Sequence, residues 1–255
     1  MNTRANKVIN VNLDVKHGLT KTVSNAYYKH AVQYGDYLDL RIYREVQYRH
    51  YGTDTIKIRG SQGDRRYDSL ARSKVALYRL TMANVGKHGR YKPIFATYTF
   101  KEPITDLDRA VILFKSYIRR LSNELGFRPE YVAVPQIQWQ RFEETGLKVW
   151  HFHAIFFNTP PISYKKNFQL WGQGRTDLQF VRGIRNVGAY IAGYFNKSDF
   201  CEVPFGRRFY YASRGLIRPI EFFHSDTIDS IISTGSVKVL SVFEGNRYTQ
   251  LKYKL

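Results

Sequence analysis

The sequence predicts an α+β fold, built on a central antiparallel sheet with helices packed on one side. Three observations carry that expectation. Strand-like and helix-like stretches follow one another in the order strand–helix–strand–strand–strand–helix, with short connections that suit antiparallel neighbours. Hydrophobic residues make up 43% of the 255 residues, enough for a sizeable core. The chain shows neither an internal repeat nor a low-complexity segment, so solenoid and disordered classes do not fit.

Taken in order, residues 1–30 are polar and mixed, and their start reads as loosely ordered. Residues 36–59 alternate apolar and polar side chains as two strands would, and 60–69, rich in Gly, Ser and Asp, reads as a loop. Residues 69–85 carry apolar positions at helical spacing and stop at Gly86. "PIFATYTF" (93–100) reads as a buried strand. Residues 105–126 form an amphipathic helix, with Thr105 as its cap, acids in its first turn and Gly126 at its end. Strands over 130–142 and 147–158 make a hairpin about the turn "EETG". After the break at "PPIS", residues 170–181 give a loop and a strand, and 185–198 a helix. Short C-terminal strands follow, with a hairpin around "FEGNRYTQ". This divides the chain into a basic, β-rich N-terminal extension (1–68), a main domain (69–220) and a C-terminal β-rich extension (221–255) packing on it.

Composition narrows the partners. There are 40 Lys and Arg against 21 Asp and Glu, a formal charge of +19, with 20 Tyr and 17 Phe. Cations for phosphates and flat rings for unstacked bases suit single-stranded nucleic acid. An apolar run of membrane-spanning length, a signal peptide and a clean basic amphipathic helix are all missing from the pattern, so no membrane partner is expected. Cys201 is the single cysteine, which rules out an internal disulfide or a zinc ribbon and suits a cytoplasmic protein. The GxxxxGK[ST] pattern of P-loop NTPases is lacking, so any motor is a separate protein.

Two clusters carry chemistry. In "VWHFHAIFF" (149–157), His151 and His153 stand two residues apart on a strand, so both project from one face while Phe152 and Ala154 enter the other. A solvated histidine pair is the plain alternative, but the apolar flanks suggest a central strand, where imidazoles need partners. Such a pair can hold a divalent cation, which polarises a phosphodiester. In "AYIAGYFNK" (189–197), Tyr190 and Tyr194 lie one helical turn apart, and Lys197 three residues on shares their face. An amphipathic helix with a snorkelling lysine explains the pattern more simply, taken alone. Beside a metal the reading changes: a tyrosine can attack phosphorus, and because its free pKa is about 10, a cation must favour its phenolate. Imidazole with oxygen donors suits Mn2+ or Mg2+.

"HFH" closing a hydrophobic strand, followed by "YIAGYFNK" on a helix, resembles the HUH endonucleases. The likeness is greatest to the rolling-circle replication initiators of plasmids and single-stranded DNA phages. It covers roughly residues 70–220: "FATYTF" with Asp106 beyond it, the hairpin "AVPQIQ…WHFHAIFFN", "LWGQGRTDLQFV", "VGAYIAGYFNK" and "FYYASRGLIRP". The resemblance implies an RRM-like palm and a DNA strand transferase that nicks single-stranded origin DNA. It also implies a 5′-phosphotyrosine, a free 3′-OH that primes synthesis, and later rejoining of the displaced circle. Host helicase and polymerase partners, and the cytoplasm of a bacterial host, follow from it. Carried over are His151 and His153 as metal ligands, Tyr190 and Tyr194 as nucleophiles, and Lys197 as the phosphate-side cation.

Two positions depart from the family pattern. Where an acidic third ligand is common, the chain has Gln136, with Gln138 and Gln140 alternating after it; Gln136, then Gln138, is expected to complete the metal site. Gly193 stands where lysine is common, which points to Tyr194 as the leading nucleophile. Arg72, Lys74 and Arg79 along helix 69–85, and Arg207, Arg208, Arg214 and Arg218, are candidates for DNA contact, either to phosphates or to guanine edges. A relaxase or transposase acting on other DNA sites, and a catalytically silent nucleic-acid-binding module of the same fold, stay open as alternatives.

Overall fold

A computed structural model describes residues 26–48, 62–89, 91–181, 186–195, 197–204, 206–234 and 237–255, without the side chains of 62–67, 197 and 200. The expected strand beyond residue 48, and the first 25 residues, lie outside this set. The chain divides into two compact units, one formed by residues up to 59 together with those from 220, the other by residues 60–219. The α+β class is as expected. Strands from the two terminal segments share one sheet.

In that unit, β1 (Ala26–Tyr34) and β2 (Tyr37–Tyr48) pair about Gly35, whose φ of 59° only glycine adopts freely. β8 (Ile220–Phe222), β9 (Lys238–Glu244) and β10 (Tyr248–Lys254) complete an antiparallel sheet in the order β8-β1-β2-β10-β9. β9 and β10 form the hairpin expected at "FEGNRYTQ". Helix α7 (Ser225–Ser233), which the sequence reading missed, sets Ile228 against Ala31, Leu38, Leu40 and Tyr253.

The second unit holds an antiparallel sheet in the order β6-β3-β5-β4-β7. Its strands are β3 (Ile94–Thr99), β4 (Tyr131–Ile137), β5 (Trp150–Phe156), β6 (Thr176–Phe180) and β7 (Tyr211–Ala212). Every residue of β5 is buried, as a central strand requires. Alternation splits the core in two. Ala96, Tyr98, Phe152, Ala154 and Phe156 pack with α2 (Leu107–Leu125). Phe95, Val132, Val134, Ile155 and Phe157 pack with Leu77 and Leu80 of α1 (Gln62–Asn84) and Val187 and Ile191 of α5 (Val187–Gly193). Helices therefore cover both faces, not one, because β3, β4 and β5 carry apolar residues at both parities.

Several boundaries move for local reasons. α1 starts at Gln62, inside the stretch read as a loop. The cap of α2 is Asp106 and not Thr105: its carboxylate accepts from the backbone N–H of Asp108 and Arg109. The strand expected over 130–142 ends at Ile137, and α3 (Trp139–Thr145) replaces its second half, closed by Gly146 at φ 71°. β4 and β5 thus pair through a helical connection and not a tight hairpin. A further helix, α4 (Tyr164–Trp171), is capped by Ser163.

α1 and α5 approach closely at Gly188. A Cβ there would stand 2.8 Å from the Tyr78 carbonyl oxygen and 2.7 Å from Met82 Cγ. Gly188→Ala is expected to destabilise the second unit by about 1–3 kcal/mol, the usual scale of overpacking, read as a lower urea midpoint with an unchanged m-value.

Candidate active site

The site lies on the face of the second sheet that α1 and α5 cover. His151 and His153 project there from the central strand, as their spacing predicts, and are only 8% and 7% exposed. The register sets Gln136 of β4 opposite His151, and Thr97 of β3 opposite His153. Nε2 of His151 lies 2.8 Å from Nε2 of His153, which lies 2.9 Å from Oε1 of Gln136. Three donor atoms thus converge.

Thr97 Oγ1, 3.1 Å from Nδ1 of His153, fixes the ring's other side. With Nδ1–H donating to that hydroxyl, Nε2 of His153 and Oε1 of Gln136 turn lone pairs toward each other. In that tautomer a cation relieves the arrangement; in the other, Nε2–H of His153 donates to Oε1 of Gln136. Two nitrogens bound at about 2.1 Å and a right angle stand about 3 Å apart, close to the spacing seen. The residues present therefore fit a divalent cation. They bring no negative charge, and among the described residues no group of three or more His, Cys, Asp or Glu could hold a metal.

Burial lowers the pKa of His151 to about 4; burial, with the neighbouring imidazole, lowers that of His153 to about 2. Both rings are neutral at pH 7 and ready to ligate. The unfolded chain takes up protons near pH 6.5 while the folded one does not, so metal-free stability falls as pH drops from about 6.5 toward 4. Each imidazole contributes a slope of about 1.4 kcal/mol per pH unit in that window. Urea titrations at several pH values should show the slope shrinking in a His151→Gln, His153→Gln variant.

The tyrosines reach the same place. The Tyr194 ring stacks on His153 with centroids 3.8 Å apart, and its hydroxyl donates to that of Tyr190 at 3.2 Å. Phe95 stacks beneath Tyr194 and meets Tyr190 edge-on. Partial burial, and then the hydrogen bond and charge of Tyr190, push the Tyr194 phenol above its ordinary pKa. It stands as a phenol at neutral pH, and only a cation beside it would favour the phenolate.

Tyr190, Tyr194 and Lys197 do not share one helix. α5 ends at Gly193, Tyr194 is the residue after it, and α6 (Lys197–Glu202) begins afresh. Gly193 thus sits at a helix end with open space around it, where glycine costs less than in a helix interior. The backbone of Lys197 opens α6; its side chain lies outside the described set. Gln138 flanks α3 as its N-cap residue, with a buried Oε1 that has no hydrogen-bond partner among the described residues. Gln140 is on α3 and donates to Glu144, so the glutamine alternation ends with the strand.

Among the proposed DNA-contact residues, Lys74 donates its Nζ to the carbonyl of Phe195, the residue after Tyr194, at 3.3 Å. Arg72 donates to Ser69, Arg79 is half-buried, and Arg207 is paired with Asp108 at 2.5 Å. Arg208, Arg214 and Arg218 are exposed. The sequence reading missed Thr97 and Phe95, although alternation along "FATYT" puts both on the face of the histidines once β3 is registered beside β5. Among the described residues no helix is long and apolar enough to cross a membrane.

Neither curated proteins nor solved structures give a match to this chain. A protein-family comparison does: residues 93–199, less than half of the chain, match the family described as replication-associated protein ORF2. That span runs from the start of β3 into α6 and includes both histidines, Gln136 and both tyrosines. Over the residues that build the site, the chain is similar to the replication-associated proteins of the ORF2 family.

Proposed function

We propose that this chain initiates rolling-circle replication as a HUH-type DNA strand transferase, using a divalent metal and a tyrosine nucleophile. The observation that carries the reading is the meeting, on one sheet face, of the His151, His153 and Gln136 donor atoms with the stacked ring of Tyr194. The family match supports a role in replication.

His151, His153 and Gln136 would hold Mn2+ or Mg2+, which supplies positive charge to a scissile phosphate. Tyr194, beside it, attacks phosphorus: its O–P bond forms as the P–O3′ bond breaks, the phenol proton leaves to solvent, and the departing 3′ oxygen takes up a proton. The product is a 5′-phosphotyrosine and a free 3′-OH, which a host polymerase can extend while a separate helicase unwinds. Tyr190, hydrogen-bonded to Tyr194, is placed for a second transfer. Lys197 is the phosphate-side cation that the family resemblance gives, and Lys74, bonded to the Phe195 carbonyl, adds charge beside the tyrosines. The basic surface, including Arg208, Arg214 and Arg218, suits the DNA strand, with steep salt dependence.

One observation favours a second reading. A ligand set without a carboxylate binds a divalent cation less tightly than one with it, as in a silent DNA-binding module. The test incubates the whole protein with labelled single-stranded origin oligonucleotides and Mn2+. An adduct that survives denaturation supports the enzyme; binding without an adduct across oligonucleotides and metals supports the silent module.

A further inference from the structure

Asp199 is a buried carboxylate, 4% exposed, in the first turn of α6. Its Oδ1 accepts from the backbone N–H of Ile137 at 3.1 Å and from Trp139 Nε1 at 2.7 Å. The reason for the first bond lies in the sheet. β7 pairs with β4 only at Val132 and Ala133. Beyond that point the β4 edge has no strand beside it among the described residues. Pro135 has no N–H to satisfy there, and the N–H of Ile137 is met by the carboxylate. A charge-assisted bond to a buried amide is among the stronger single hydrogen bonds.

One partner of Asp199 sits beside a ligand residue, since Ile137 follows Gln136 at the end of β4; the other, Trp139, opens α3 two residues later. Asp199 itself comes five residues after Tyr194, past the corner where α5 gives way to α6. A cavity of about 10 Å3 lies between them, lined by Tyr194, Phe195 and Asp199 on one side and by Val134 and Pro135 of β4 on another. We propose that Asp199 is a positioning residue: by tying α6 to the end of the ligand strand, it holds the Tyr194 ring against His153. The role in nicking rests on the function proposed above; the role in placing the ring does not.

The experiment uses the full chain and two readouts. The first is the His153 ring-proton shift in a metal-free NMR spectrum, which the Tyr194 ring at 3.8 Å moves upfield; a Tyr194→Leu variant marks the position without that ring. Asp199→Ala should carry the signal toward the Tyr194→Leu position, and Asp199→Asn, which keeps an accepting oxygen, should leave it near wild type. Trp139→Phe removes the indole bond and should fall between. It also serves should Asp199→Ala not fold.

The second readout is the single-turnover rate of adduct formation. It should drop about tenfold to a hundredfold in Asp199→Ala and recover in Asp199→Asn, as misplacement of a reacting group costs. A His153 signal that stays at the wild-type position in Asp199→Ala, or in Trp139→Phe where the alanine variant does not fold, overturns the proposal. So does an Asp199→Asn protein that loses the adduct while its His153 signal is unmoved, since that would assign the carboxylate to the chemistry. A wild-type protein that makes no adduct counts against the proposed function alone, because the NMR comparison still decides the positioning.

Discussion

Phenylalanine at both Tyr190 and Tyr194 is expected to abolish the covalent adduct and to leave DNA binding intact. Phenylalanine keeps the rings, so the stack on His153 and the edge contact with Phe95 survive. What goes is the pair of hydroxyls and the bond between them. The single variants should differ. Tyr194→Phe removes the hydroxyl on the ring that covers His153, and adduct formation should fall beyond about 10³-fold, more than 4 kcal/mol of barrier. Tyr190→Phe should keep first cleavage within about tenfold and lose mainly the second transfer. A gel assay of adduct against time, beside a filter-binding isotherm, separates the two steps. Equal losses in the two single variants would contradict the assignment of Tyr194 as leader.

Removing the imidazoles should have an effect of similar size by a different route. His151→Gln with His153→Gln keeps polar groups where the rings stood and removes both nitrogen ligands. Mn2+ affinity, followed by the paramagnetic signal of free Mn2+, should weaken beyond about 10²-fold, and the adduct should vanish at any practical metal concentration. Alanine is the poorer choice at 153. It would delete the surface on which Tyr194 stacks, so lost activity could reflect a displaced nucleophile. Retention of metal-dependent cleavage by the double glutamine variant would show that the cation sits elsewhere.

Much of the site was legible in the sequence because it rests on short-range periodicity. A spacing of two on a strand fixes that His151 and His153 share a face whatever surrounds them, and apolar flanks locate that strand in the middle of the sheet. Gln136 was expected from the family resemblance; alternation alone did not separate it from Gln138 and Gln140. Legibility failed where a long-range contact decides. Tyr190, Tyr194 and Lys197 have helical spacing, yet the helix ends at Gly193. "QWQRF" alternates like a strand, yet Trp139 turns into α3, where its indole donates to Asp199, sixty residues on. The second layer of helices was missed because parity tells which residues share a face, and not what will cover each face. The terminal strands paired across most of the chain length, a contact that no local pattern announces.

At the centre of the proposed chemistry, the imidazole pair and the phenols act on one backbone phosphate. The most direct measurement is mass-spectrometric mapping of the nucleotide left on the protein after reaction with a single-stranded oligonucleotide, with and without Mn2+. The modified residue should be Tyr194, with Tyr190 secondary, and only when the metal is present. A nucleotide carried by a residue away from α5, or formed equally well with the metal chelated, would contradict it.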